Sequence, residues 1–305
     1  MFDLVTVGHL AIDQILTPKI STPEPTLGGP PTYVSLSARK LGAKVSMISK
    51  VGKDFPDKYV TWLKSNGVDL SGLKKVRDAS TTRFLLSYGK GERQLQLKSR
   101  APPISPEDVP SALRAKAVHV APIANELPRS VIDKLRGLAD ILSLDPQGFV
   151  RRFDRQGNVK LGRWEENRIL RQIDIYKSSF SEIKTATGLN DLQLAVQKIH
   201  SYGPRIVMVT RGLKGSTLFL DGELYEIPAC KPRVVKDFTG AGDAFIGAFL
   251  AEYVQGKDAV WCACVGSAAS SFVVESLGPT VFGEKKETYK RAAETYEKGL
   301  KRLTT

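Results

Sequence analysis

Apolar residues in this chain fall into short unbroken runs that alternate with longer amphipathic stretches. Residues 4–7, 45–48, 117–120, 141–144 and 206–209 are dominated by Val, Ile, Leu and Ala. They are too short for helices and read as strands buried on both faces. Residues 32–41, 58–65, 128–138, 192–200 and 243–254 instead repeat their apolar positions at helical spacing. Buried runs alternating with helices predict an α/β fold: a three-layer αβα sandwich around a mostly parallel sheet, joined by right-handed crossovers.

Two stretches break the rhythm. Residues 80–98 read as two strands around the turn Gly89-Lys90-Gly91, and residues 11–28 are extended and Pro-rich with no helical period. With the adjoining residues to 100, they are expected either to build a small β-flap, a lid outside the main sheet, or to add an edge hairpin. Residues 149–172 are strongly basic and are expected to form a loop and an exposed helix face, the common setting of such a run. With no repeat and no linker, a single domain spanning 1–305 is expected.

Composition narrows the classes. At 305 residues, with 42% hydrophobic and 25% charged residues, the chain suits a folded protein and excludes disordered and collagen-like classes. Cys230, Cys262 and Cys264 offer neither a disulfide framework nor zinc spacing, so reduced thiols and a cytoplasmic location are expected. Residues 1–16 lack a basic leader and cleavage site, and no apolar run reaches the roughly 18 residues of a membrane span. His9, His119 and His200 form no zinc-binding pattern. The formal charge of +13 admits nucleic acid, an anionic membrane, an anionic substrate or simply a solvated surface. Lys and Arg are scattered over 74–77, 151–155 and 284–302, with acids interleaved in the last stretch, so no nucleic-acid partner is expected. A catalytically idle nucleic-acid-binding or regulatory protein stays open as a reading of a different class. Monomer and homodimer are both compatible with the sequence.

The chemistry concentrates in residues 234–250. A β-branched run leads into Thr239-Gly240-Ala241-Gly242-Asp243 and then an apolar helix. A small-residue loop opening a helix leaves N–H groups at the positive end of the dipole, a ready anion site. Asp243 in the first turn shares that space, where a carboxylate can take a hydroxyl proton while amides hold a transferring phosphoryl group. Taken alone, the string is equally a tight turn with an ordinary first-turn acid.

The segment Asp237-Phe238-Thr239-Gly240-Ala241-Gly242-Asp243 resembles the C-terminal signature of the ribokinase-like (PfkB) carbohydrate kinases. Residues 28–60 resemble that family's N-terminal block, residues 209–216 its strand and loop beside the nucleotide, and Asp13 falls where it places a substrate-binding Asp. The resemblance covers nearly the whole chain, in order. It implies ATP as donor and Mg²⁺ as cofactor, with Asp243 as base and the amides of Gly240, Ala241 and Gly242 as anion hole. It implies Asp13, Gly28 and Gly29 on the acceptor, and Thr210, Arg211, Gly212 and Gly215 along the ATP site. Residues 177–182, after a strand, match the family's N-x-x-E element in part: Glu182 would help hold Mg²⁺ through water, and Ser179 stands where Asn is usual. Asp237 and Gly278 fall where members often bind a monovalent cation.

The acceptor is less legible. Tyr33 replaces an Asn usual in the Gly-Gly block; it can pack on a ring and offer a hydroxyl, or it can be a core residue of its helix. Residues 7–10, 92–101 and 144–151 resemble an archaeal branch that includes a myo-inositol kinase, which makes Arg100, Asp145, Gln147 and Arg151 acceptor-rim candidates. A small sugar or polyol is the leading expectation, and a furanose sugar or nucleoside the alternative.

Overall fold

The computed structural model describes residues 1–17, 22–88, 93–164, 167–299 and 301–303. The chain opens with strand β1 (Phe2–Val7), then β2 (Ala11–Leu16) and the short β3 (Thr26–Gly28). Helix α1 (Pro30–Lys40) starts with two prolines in its first turn, where no N–H is missed. Strand β4 (Val45–Gly52), helix α2 (Asp57–Ser65) and strand β5 (Val68–Val76) follow. The chain then makes the hairpin of β6 (Thr82–Tyr88) and β7 (Arg93–Ser99). Strand β8 (Ala115–Val120), helix α3 (Arg129–Arg136), strand β9 (Ala139–Leu144) and the single-turn α4 (Gln147–Val150) lead into a small hairpin, β10 (Arg151–Phe153) and β11 (Val159–Leu161). Next come β12 (Ile175–Ser179), α5 (Phe180–Thr187), α6 (Leu192–Ser201) and β13 (Ile206–Thr210). Strands β14 (Ser216–Leu220) and β15 (Glu223–Ile227) precede helices α7 (Ala241–Tyr253), α8 (Ala259–Val273) and α9 (Lys285–Gly299), and β16 (Lys301–Leu303) ends the described chain.

The main sheet runs β16-β15-β14-β13-β12-β9-β8-β1-β4-β5. Every pair from β13 to β5 is parallel, and β14, β15 and β16 add antiparallel strands at one edge. Alternation along each strand sorts side chains to opposite faces. Val5, Val118, Tyr176 and Val207 pack against α3, α5 and α6. Leu4, Ala117, Ile175 and Ile206 pack against α1, α7 and α8. The three-layer α/β sandwich expected from the sequence is therefore the one found.

From β1 the chain builds outward to β4 and β5, then returns to the other flank of β1 with β8. Such a reversal leaves a crevice at the carboxyl ends of the strands. Strands β3-β2-β6-β7 form a separate four-stranded sheet beside it, drawn from the two stretches that break the sequence rhythm. The turn Gly89-Lys90-Gly91 and residues 18–21 lie outside the described residues.

The basic stretch 149–172 departs from its expected exposed helix face. It holds the β10–β11 hairpin and a 3-10 turn over Asn167–Gln172. Trp164, Ile169 and Leu170 are buried, and Trp164 stacks on Phe149 at 5.5 Å. Apolar residues spaced among arginines anchor the segment, and Arg151 is itself buried, donating to the Ile123 carbonyl and to Gln147. Lys177 and Ser178, expected after a strand, belong to β12 itself.

Helices α1 and α7 touch through Gly247: a Cβ there would lie 2.4 Å from the Val34 carbonyl oxygen. Gly247→Ala forces the helices apart, and we expect it to lower unfolding stability by about 1–3 kcal/mol in urea titrations, the usual cost of overpacking.

Candidate active site

Helix α7 begins at the carboxyl ends of the parallel strands. Its cap residue Gly240 has φ 78°, and a Cβ there would sit 2.2 Å from the Tyr33 ring, so both conformation and contact require glycine. Two cavities meet at this helix end. On one side Thr239, Gly240 and Asp243 share a small polar cavity, of about 80 Å³, with Asp13, Tyr33, Gln147 and Arg151. On the other, Ala241 and Gly242 line a larger cleft of about 240 Å³ with Thr210, Gly212, Gly215 and Phe245. The α7 N-terminus is thus the wall between them.

A charged network supports that wall. Lys177, on β12, is buried and meets Asp145 at 2.6 Å. Gln147 donates from Nε2 to Asp145 at 3.3 Å and to Asp243 at 3.2 Å, and its Oε1 accepts from Arg151 at 2.7 Å. A Cβ at Gly242 would stand 2.7 Å from Lys177 Nζ, so the ammonium lies directly against the first turn of α7. Burial works against the Lys177 charge, but Asp145, Asp243 and Glu182 outweigh it and hold the pKa above the ordinary lysine value. Removal from water raises the Asp243 carboxyl to about 6; Asp145 and Glu182 push the same way, and Lys177 and Arg151 oppose them. A base of that pKa is about nine-tenths ionised at pH 7 and still able to take a proton.

Most residues singled out in the sequence converge here. Asp13 is buried against Gly28, where a Cβ would overlap its carboxylate at 2.0 Å. Gly29, at φ 85°, lets the chain pass the His9 carbonyl. Tyr33 is both things expected of it: a buried helix residue and part of the polar cavity wall, its hydroxyl without a partner. Burial pushes that phenol well above its ordinary pKa, and Asp13, Asp237 and Asp243 add to the shift.

Other residues depart from expectation. Arg100 is exposed over the Phe153 ring at 5.1 Å and lines neither cavity. Arg211 turns to Glu226 at 3.1 Å rather than into the larger cleft, because the acid on β15, two strands over from β13, offers it a charge partner. The Ala241 amide is taken by the Phe238 carbonyl at 3.2 Å, which leaves Gly240 and Gly242 as the open amides of the expected three. Ser179 and Glu182 form the capping box of α5, with Glu182 Oε2 accepting from the Ser179 amide and hydroxyl at 2.8 and 2.6 Å. Asp237 is buried with Oδ2 unpartnered, as a cation ligand would be, whereas the Gly278 carbonyl already accepts from Ser276 and Thr280.

Sequence reasoning missed Lys177 and the far wall of the larger cleft, Ser267, Ser270, Ser271 and Val274 on and just after α8. A lysine inside a buried strand run was the available signal for the first. The α8 positions carry none, because small serines in an otherwise apolar helix look like ordinary packing residues.

The sequence pattern of the pfkB family carbohydrate kinases matches residues 1–286, and the chain belongs to that family. It is a phosphotransferase with the ribokinase fold. A cytidine kinase of Thermococcus kodakarensis is 30% identical over 293 residues, covering 91% of this chain and 98% of that protein. An inositol 3-kinase of Arabidopsis thaliana is 26% identical over 294 residues, covering 92% and 76%. A solved pyrophosphate-dependent kinase of the ribokinase family, complexed with a pyrophosphate analog and myo-inositol, superposes with a TM-score of 0.81 at 26% identity and covers 94% of this chain and 99% of its own.

Two outcomes are expected. The rate should fall as pH drops through about 6, where Asp243 takes up a proton, and level off above it; a pH profile of kcat checks this. Gly242→Val drives a side chain into Lys177 Nζ and should cut kcat about 100-fold or more in steady-state assays, the scale of a lost transition-state donor.

Proposed function

We propose that the protein transfers the γ-phosphoryl group of ATP to a hydroxyl of a small cyclic polyol, with a cyclitol such as myo-inositol as the leading acceptor. The observation that carries this is the α7 N-terminus standing between a small polar cavity and a larger cleft, with Asp243 on one side and Gly242 on the other. Asp13, Gln147 and Arg151 bind acceptor hydroxyls. Asp243 takes the proton of the attacking hydroxyl as it bonds to the γ-phosphorus. The open amides of Gly240 and Gly242 and the Lys177 ammonium balance charge on the transferring group while ADP leaves.

ATP is favoured over pyrophosphate by the larger cleft, whose apolar lining of Phe238, Phe245, Leu213 and Val274 suits a nucleobase rather than a bare phosphate. Among the described residues no three His, Cys, Asp or Glu are grouped to hold a metal alone. Glu182 spends Oε2 on the α5 cap, and its other oxygen would help hold an ion arriving on the donor phosphates. When bound, Mg²⁺ neutralises phosphate charge.

Nucleoside phosphorylation is the second reading, favoured by the 30% identity to a cytidine kinase. Its base would rest on Phe84, Leu86 and Leu95 of the small sheet. The polyol reading is preferred because the cavity is small and ringed by hydroxyl-binding groups.

The test is ADP and phosphate release with ATP or pyrophosphate across myo-inositol, other polyols, ribose and cytidine. We expect ATP with a cyclitol to give the highest kcat/KM; cytidine or ribose in that place overturns the acceptor assignment. Asp243→Asn should lower kcat by about 100- to 10,000-fold with ATP affinity retained in calorimetry. Near-normal turnover in that variant would sink the mechanism.

A further inference from the structure

We propose that Glu126, a buried acid outside both cavities, is a positioning residue for the acceptor end of the site; the proposal rests on Asp243 as base. The Glu126 side chain is fully buried, and its oxygens are taken up by backbone N–H groups of two separate segments. Oε1 accepts from His9 at 3.1 Å and Ile123 at 3.0 Å; Oε2 accepts from Ile123 at 3.0 Å and Ala124 at 2.7 Å. A buried carboxylate is costly unless it is bonded, and converging amides make a nest for it. Between them Asn125 takes φ 58°, the left-handed conformation that turns the Ile123 and Ala124 amides back onto the acid.

Both segments lead to the reacting groups. His9 lies on the connection from β1 to β2, just before Asp13. Its ring accepts from the Thr82 hydroxyl at 2.8 Å and donates to the Pro102 carbonyl at 3.1 Å, and Ala101 donates to Thr82 Oγ1 at 3.0 Å. The root of the small sheet is therefore tied to Glu126. On the other side, Ile123 lines the acceptor cavity, and its carbonyl accepts from Arg151 at 3.3 Å. Arg151 holds Gln147, and Gln147 donates to Asp243. Glu126 thus stands at the start of a chain of bonds that ends on the base. It lines neither cavity, so its action passes through Ile123 and Arg151.

Glu126→Gln keeps the volume, removes the charge and turns an amide NH₂ toward backbone donors. We expect kcat/KM for the acceptor to fall about tenfold or more with the donor KM within about twofold. The acid limb should also move to higher pH. Lys177 from β12, Arg151 from β10, Asp145 after β9, Gln147 from α4, Glu182 from α5 and Tyr33 from α1 face Asp243; of the charged groups among them Arg151, which lowers the Asp243 pKa, is the one whose side chain bonds to the Glu126 loop. Glu126→Asp, with the charge kept, should restore the limb.

Parallel loss of donor and acceptor constants overturns the proposal, as does wild-type kinetics with a lowered Tm alone. A double-mutant cycle with Arg151→Ala should be strongly non-additive, and additive losses also overturn it. If Glu126→Gln does not fold, Glu126→Asp is used. Its shorter side chain cannot span both the His9 and the Ala124 amides, so kcat/KM for the acceptor should fall while the donor KM and the acid limb stay. Unchanged acceptor kinetics in that variant overturn the proposal. Silence at Glu126 while Asp243→Asn is dead removes only the positioning role; turnover in Asp243→Asn removes the base itself.

Discussion

One buried ion pair sets the terms for the rest of the site. Lys177 and Asp145 sit at the carboxyl ends of neighbouring parallel strands, both withdrawn from water and 2.6 Å apart. A pair of this kind seldom adds net stability, because desolvation offsets the attraction. Its value is electrostatic. It keeps an ammonium charged against the first turn of α7, where a second carboxylate, Asp243, feels both partners and titrates near 6. Without Lys177, Asp243 would face Asp145 and Glu182 with Arg151 as its remaining counter-charge, and its carboxyl would rise further.

The scaffold serves that arrangement by bringing helix ends and strand ends close. Gly247 lets α7 lie on α1, and Gly240 lets the cap of α7 lie on the Tyr33 ring. Gly28 leaves room for the Asp13 carboxylate. Small residues therefore stand where backbone must approach backbone or a buried acid, and the reversal of strand order at β1 supplies the crevice. The two cavities are consequences of this packing: each is bounded by a helix end that a larger residue would push away.

Some of this could be read along the chain because its signals are local. A buried strand, an amphipathic helix and a glycine-rich helix start each announce themselves within a dozen residues, so the α/β layering and the role suggested for Asp243 were visible in order and spacing. The 149–172 segment misled for the opposite reason. Its arginines dominate the local pattern, while Trp164, Ile169 and Leu170, which decide where it packs, are spread thinly among them. Arg211 was similarly opaque, since the acid it turns to lies on another strand of the sheet.

The chain by itself determined the layer architecture, the family and the residues that open α7, because periodicity and short-range motif order act between near neighbours. Only the tertiary structure decided that Lys177 faces Gly242, that α8 walls the larger cleft and that Glu126 gathers amides from two loops. Those relations join segments up to 117 residues apart, as between His9 and Glu126. The distance between such groups is set by how whole strands and helices stack, a quantity no local pattern of polar and apolar residues encodes.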